Sequence, residues 1–144
     1  MSVRFFSEGI DFKLPHPRKT VTWVKSVVKK EKKLINSINY IFCDDQYLLE
    51  INRKFLAHDT LTDIITFDYS HGKEVSGEIY ISIERVMENS VTFKTTVDQE
   101  IHRVLVHGVL HLIGYSDKTK HEKALMRKKE DACLSLLYNV PHGT

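Results

Sequence analysis

Thr96-Val97-Asp98-Gln99-Glu100-Ile101-His102-Arg103-Val104-Leu105-Val106-His107-Gly108-Val109-Leu110-His111-Leu112-Ile113-Gly114 is the stretch on which the fold turns. Thr96, with Gln99 three residues later, has the form of a capping box that opens a helix. Gly114 stands where that helix must stop, because a glycine just past the last turn lets the chain reverse. Between them the apolar residues do not keep to one stripe. Ile101, Val104, Leu105 and Leu112 fall on one side, and Val106, Val109, Leu110 and Ile113 on others. A helix that is apolar nearly all round is a buried one.

Outward from this helix the chain supplies the elements to cover it. Val3-Arg4-Phe5-Phe6 reads as a short strand, and Thr20 is placed to cap a helix carrying Val21, Val24, Val27 and Val28. Ile38-Asn39-Tyr40-Ile41-Phe42 alternates as a strand, and Asp44 and Asp45 suit the start of a helix holding Leu48, Leu49, Ile51 and Phe55. Ile64-Ile65-Thr66-Phe67-Asp68-Tyr69 and Gly77-Glu78-Ile79-Tyr80-Ile81-Ser82-Ile83 read as two strands about a His71-Gly72-Lys73 turn. A helix then runs from Ser82 or Ile83 to Val91. After the buried helix, residues 117–138 form a last amphipathic helix, with Leu125, Ala132 and Leu136 on one stripe and Met126, Cys133 and Leu137 beside it. This order predicts an α+β fold, a small mixed β-sheet covered by helices.

Composition agrees with one domain spanning residues 1–144. The 144 residues are 42% hydrophobic and 28% charged, which excludes disordered, collagenous and repeat-built chains. No apolar run approaches the ~20 residues of a membrane span, and the first residues do not read as a signal peptide. Cys43 and Cys133 are the only cysteines and belong to no C-x-x-C, so a disulfide scaffold is excluded and a cytoplasmic setting is expected. The net charge of +2 is unevenly spread. Residues 18–33 hold seven Lys or Arg against Glu31 alone, and a second basic cluster comprises Lys118, Lys120, Lys123, Arg127, Lys128 and Lys129. Such clusters can neutralise phosphates, although a solvated helix face has the same look.

The chemistry lies at the C-terminal end of the buried helix. His107 and His111 are four residues apart and so share one face, and Asp117 follows Gly114 by three residues. The pattern H-x-x-x-H-x-x-G-x-x-D has the ligand spacing of the metzincin signature, with a carboxylate in the third place. Two imidazoles and one carboxylate leave a fourth tetrahedral position for water, as in catalytic zinc sites. A structural site would need a fourth protein ligand, for which His121 is the nearest candidate. In H-E-x-x-H proteases the Glu after the first His is the general base. Here Gly108 stands there, which disfavours peptide hydrolysis and is expected to leave space beside the metal for a bulky polymer backbone. A water held by the ion could then attack a phosphodiester.

At these residues the chain resembles the YbeY-type endoribonucleases, the bacterial rRNA maturation factors. His107-Gly108-Val109-Leu110-His111-Leu112-Ile113-Gly114-Tyr115 is similar to the family's H-G-x-L-H-L-x-G-Y core. Asn52-Arg53-Lys54-Phe55 and Asp59-Thr60-Leu61-Thr62-Asp63-Ile64-Ile65-Thr66-Phe67 resemble its N-x-x-Y-R-x-K-D-x-P-T-D-V-L-S-F block, Gly77-Glu78-Ile79-Tyr80-Ile81 its G-D-I-x-I strand, and Met126 with Glu130 its closing M-x-x-x-E. The resemblance implies a zinc-dependent, single-strand-specific endoribonuclease acting in 16S rRNA 3′-end maturation, with ribosomal RNA and the ribosome as partners. It implies one Zn2+ per chain, held by His107, His111 and Asp117. Asp117 takes the place of the family's usual third histidine, Leu56 that of its active-site Arg, and His58 that of its Lys. Arg53 and His58 are the candidates to replace the missing cation. The competing expectation is a non-catalytic, zinc-containing ribosome assembly factor.

Overall fold

The structure, a computed structural model, describes residues 2–56 and 62–138. Among these the elements run β1 (Ser2–Ser7), α1 (Pro17–Lys30), β2 (Leu34–Cys43), α2 (Asp45–Leu56), β3 (Ile64–Asp68), β4 (Glu74–Ser82), α3 (Ile83–Thr92), α4 (Val97–Ile113) and α5 (Lys120–Tyr138). The strands form one mixed sheet in the order β1-β2-β4-β3. β1 pairs with β2 and β2 with β4 in parallel, whereas β3 returns antiparallel along β4.

Alternation in β4 divides the core between the two faces of the sheet. Val75, Ile79 and Ile81 belong to the large cluster that includes Trp23, Val24 and Val28 of α1 and Leu105, Val109 and Leu112 of α4. Tyr80 turns to the other face, where Tyr47, Leu48 and Ile51 of α2 meet Ile65 and Phe67 of β3. Burying each such aliphatic side chain contributes about 1.5–3 kcal/mol, and helices are accordingly needed on both faces. The α+β expectation holds.

α4 lies closer to the sheet than side chains would normally permit. A Cβ on Gly108 would stand 2.8 Å from Ile79 Cγ2, and one on Gly77 would stand 2.6 Å from both Leu112 Cδ2 and the Phe67 carbonyl. Gly108 therefore faces β4. The expectation that it opens space beside the metal is wrong, since its smallness is used up by contact between helix and sheet. A side chain at this position would run into Ile79, which also accounts physically for the absence of a Glu there.

Two further readings need correction. α1 begins at Pro17, three residues before Thr20, because proline has no N–H to leave unsatisfied and its φ already suits a first turn. Thr20 is buried inside the helix, its Oγ1 3.4 Å from His102 Nε2. In α5 the buried residues are Met126, Glu130 and Cys133, while Leu125 and Leu136 are exposed. That face is set by a buried carboxylate, which hydrophobic periodicity does not register. The Thr96 cap is present, its Oγ1 accepting from Gln99 N–H at 3.0 Å. The Gln99 side chain accepts from Thr95 Oγ1 instead of reaching back to close the box.

Candidate metal centre

Helical spacing carries His107 and His111 to one side of α4, where their Nε2 atoms lie 2.9 Å apart. Gly114, at φ 124, occupies the region open to glycine and turns the chain, and Tyr115 N–H closes the turn onto the Leu110 carbonyl at 2.9 Å. The turn returns Asp117 to the histidines: its Oδ2 is 3.2 Å from His107 Nε2 and 3.4 Å from His111 Nε2.

The opposite nitrogens settle the tautomers. His107 Nδ1 is 2.6 Å from Glu130 Oε2, and His111 Nδ1 is 3.0 Å from the Tyr115 carbonyl oxygen. A backbone carbonyl can only accept and a carboxylate does the same, so both Nδ1 atoms carry the proton. In the neutral form that ligation requires, each imidazole then aims an Nε2 lone pair at the other and at a carboxylate oxygen. Three electron-pair donors at such range repel one another unless a proton or a metal cation lies among them. Tetrahedral coordination with bonds of roughly 2.0–2.1 Å separates ligand atoms by roughly 3.3 Å. The donor set and its spacing therefore fit a divalent ion, and among the described residues His107, His111 and Asp117 form the group that could hold one.

The surroundings reinforce this. Burial acts to lower the His107 pKa, but the hydrogen bond and charge of Glu130, together with Asp117 and Asp63, outweigh it and raise the value. The local field thus favours positive charge at this point. Glu130 is only 4% exposed, and it is held by Arg103, whose Nη1 donates to Oε1 at 2.9 Å while Nη2 donates to Asp131 at 2.7 Å. This carboxylate–histidine relay is the usual device for orienting a metal-ligating imidazole.

The centre opens on a cleft of about 860 Å³ between the ends of α2 and α3, strand β3 and helices α4 and α5. Among the described residues five carboxylates line it: Asp63, Asp68, Glu100, Asp117 and Glu130. Three described cations, Arg103, Lys123 and Arg127, stand against them, so carboxylates outnumber cations along the described lining. Burial pushes the Asp63 carboxyl up, with the nearby His107 acting against it. Asn89 Nδ2 lies 3.4 Å from Asp63 Oδ2.

The other sequence candidates fall elsewhere. His121 is exposed at the start of α5 and outside the donor group. Arg53 is exposed on α2 and does not line the cleft, whereas its neighbour Asn52 is buried and does. His58 lies outside the described residues. Sequence reasoning passed over Arg103 and Phe93, and it met Asp63 in the family block without assigning it a task. Arg103 had a signal, since it precedes His107 by four residues and so shares its face. The two basic clusters meet, because Glu31 pairs with Lys129 Nζ at 3.4 Å and accepts from Tyr115 Oη at 2.6 Å.

Residues 8–138 match the family described as Endoribonuclease YbeY. The chain is 53% identical over 133 residues to a protein of that name from Flavobacterium psychrophilum, covering 92% of this chain and 95% of the relative. It is 52% identical over 136 residues to one from Cytophaga hutchinsonii, covering 94% and 95%. Among solved structures it resembles the solution structure of TM1509 from Thermotoga maritima, with a TM-score of 0.68 and 27% identity over 96% of this chain and 90% of that one.

Proposed function

The chain belongs to the YbeY endoribonuclease family, and from that premise we propose that it is a zinc-dependent endoribonuclease cutting single-stranded RNA in 16S rRNA 3′-end maturation. Its partners on this reading are ribosomal RNA and the ribosome, and its setting is the cytoplasm. No described helix is long and apolar enough to cross a membrane. One observation carries the reading: three potential ligand atoms, from His107, His111 and Asp117, converge within 3.4 Å of one another. Imidazole–imidazole–carboxylate is a donor set that suits Zn2+ and leaves room for a further ligand.

A divalent ion held there supplies a Lewis acid for phosphate oxygens and for water. The protein's own groups do the rest. Glu130 and the Tyr115 carbonyl hold the Nδ1 protons and keep both Nε2 atoms free to ligate. Arg103 holds Glu130 in place, its charge spent on Glu130 and Asp131. Among the described residues Lys123 and Arg127, exposed along α5 and lining the cleft, are cations placed to meet phosphate.

Purified protein should contain about one zinc per chain and cut single-stranded RNA. Cleavage should be lost on chelation and restored by zinc. Undiminished cleavage by chelated protein, or by His111→Ala, would overturn the proposal. A non-catalytic assembly factor would instead bind ribosomal particles while leaving RNA whole at full zinc occupancy.

A further inference from the structure

Phe93 takes no part in the core. It caps the C-terminus of α3, is 58% exposed, and lines the cleft that also holds His107 and His111. Leu56, the last residue of α2, is 41% exposed on the same lining. The Phe93 backbone is pinned: Thr95 N–H donates to the Ser90 carbonyl at 2.9 Å and Lys94 N–H to that of Val91 at 3.3 Å, closing the helix. Lys94 adopts φ 54 to permit this, a conformation that is unfavourable for a residue with a Cβ. A constrained turn thus presents an open phenyl ring on the lining of the cleft that holds the candidate metal centre.

The charges indicate what the ring meets. Among the described lining residues carboxylates outnumber cations, so phosphate attraction alone holds an RNA strand there poorly. Lys123 and Arg127, exposed on α5, provide positive charge at the cleft. An aromatic plane beside a few cations is the combination with which proteins hold single strands, the plane taking a base and the cations the backbone. A duplex keeps its base faces stacked and has none to offer.

We propose that Phe93, with Leu56 on the same wall, is a stacking platform for one unpaired base of the RNA substrate, so that the adjoining phosphate lies at the His107–His111–Asp117 centre. The assignment rests on the endoribonuclease reading. It makes the preference for single strands a property of the α3–α4 connection and not of the metal site.

The test uses zinc-loaded full-length protein in excess over short single-stranded RNAs, each with one 2-aminopurine at a different position, read before cleavage. Base stacking on Phe93 should quench one position selectively. Phe93→Ala should abolish that quench and weaken binding roughly 5- to 150-fold, whereas Phe93→Trp retains both and Val91→Ala, an exposed apolar control, changes neither. Zinc content should stay the same in all three. If Phe93→Ala binds and cuts like the parent, the platform is refuted while the endoribonuclease reading stands. If the parent neither binds nor cuts RNA, that underlying reading fails first. Self-association that disappears in Phe93→Ala, with RNA affinity unchanged, would show the face to be a contact between copies and would also refute the platform.

Discussion

Helix α4 carries three histidines, and its two halves use them oppositely. In the N-terminal half, His102 is 6% exposed and both its nitrogens are occupied. Nδ1 lies 2.7 Å from the Asp98 carbonyl and 2.7 Å from Tyr138 Oη, and Nε2 lies 3.4 Å from Thr20 Oγ1. The ring packs edge-on against Trp23 and Tyr138. In the C-terminal half, His107 and His111 each give one nitrogen to an acceptor and turn the other toward a lone pair. A buried histidine with two proton partners is a packing residue. One with a single proton partner and a facing lone pair calls for a cation. Residue type and burial do not separate the cases; the second nitrogen does.

That contrast can be broken most severely at His111. In His111→Ala, zinc should fall well below the roughly one ion per chain expected of a three-ligand site, and RNA cleavage should drop to the level of metal-stripped protein. Elemental analysis and a cleavage assay check this, and the fold should survive because the side chain is partly exposed. Next in size is Glu130→Gln. It retains an acceptor near His107 but removes the charge, and a chelator competition titration should show metal affinity reduced about 10- to 100-fold.

Gly108→Ala tests the floor beneath the site. The added methyl would press on Ile79, and overpacking of this kind costs about 1–3 kcal/mol, readable as a lower denaturant midpoint. Had Gly108 opened space beside the ion, as its position in the motif implied, stability would be unchanged and metal affinity would move instead.

The smallest effect is the acid response of His102. Burial lowers its pKa, while the Asp98 carbonyl and carboxylate pull the other way and Lys19 adds to the lowering. Below about 6.5 the unfolded chain therefore takes up a proton that the folded chain resists. Its contribution to stability is complete above pH ~6.5 and declines as pH falls toward the lowered folded value, by at most about 1.4 kcal/mol per pH unit. In His102→Gln that portion of the pH–stability curve should flatten while zinc content stays unchanged. A loss of zinc in this variant would dissolve the distinction between the two halves.

Much of the site was legible in order along the chain. Helical spacing placed His107 over His111, and Gly114 followed by three residues set the reach of Asp117. Both are short-range matters of backbone geometry. The family's closing M-x-x-x-E pointed to Glu130 but not to its task, since its partner His107 lies 23 residues away on another helix. Asp63 and Phe93 could not be placed at all, because each reaches the cleft through the packing of α4 against β3 and α3. The Thr20 cap failed for a related reason: a hydroxyl suited to capping was taken inside α1 to meet His102.

The amino-acid order alone determined that α4 is a buried helix, that it ends at Gly114, and that two imidazoles and a carboxylate come together beyond its last turn. These follow from the 3.6-residue period and a single left-handed turn, which depend on near neighbours only. Tertiary structure decided which proton each imidazole keeps, why residue 108 has no side chain, and which ring lines the cleft. Those depend on helices and strands that approach from distant parts of the chain, and their approach is governed by how whole faces pack.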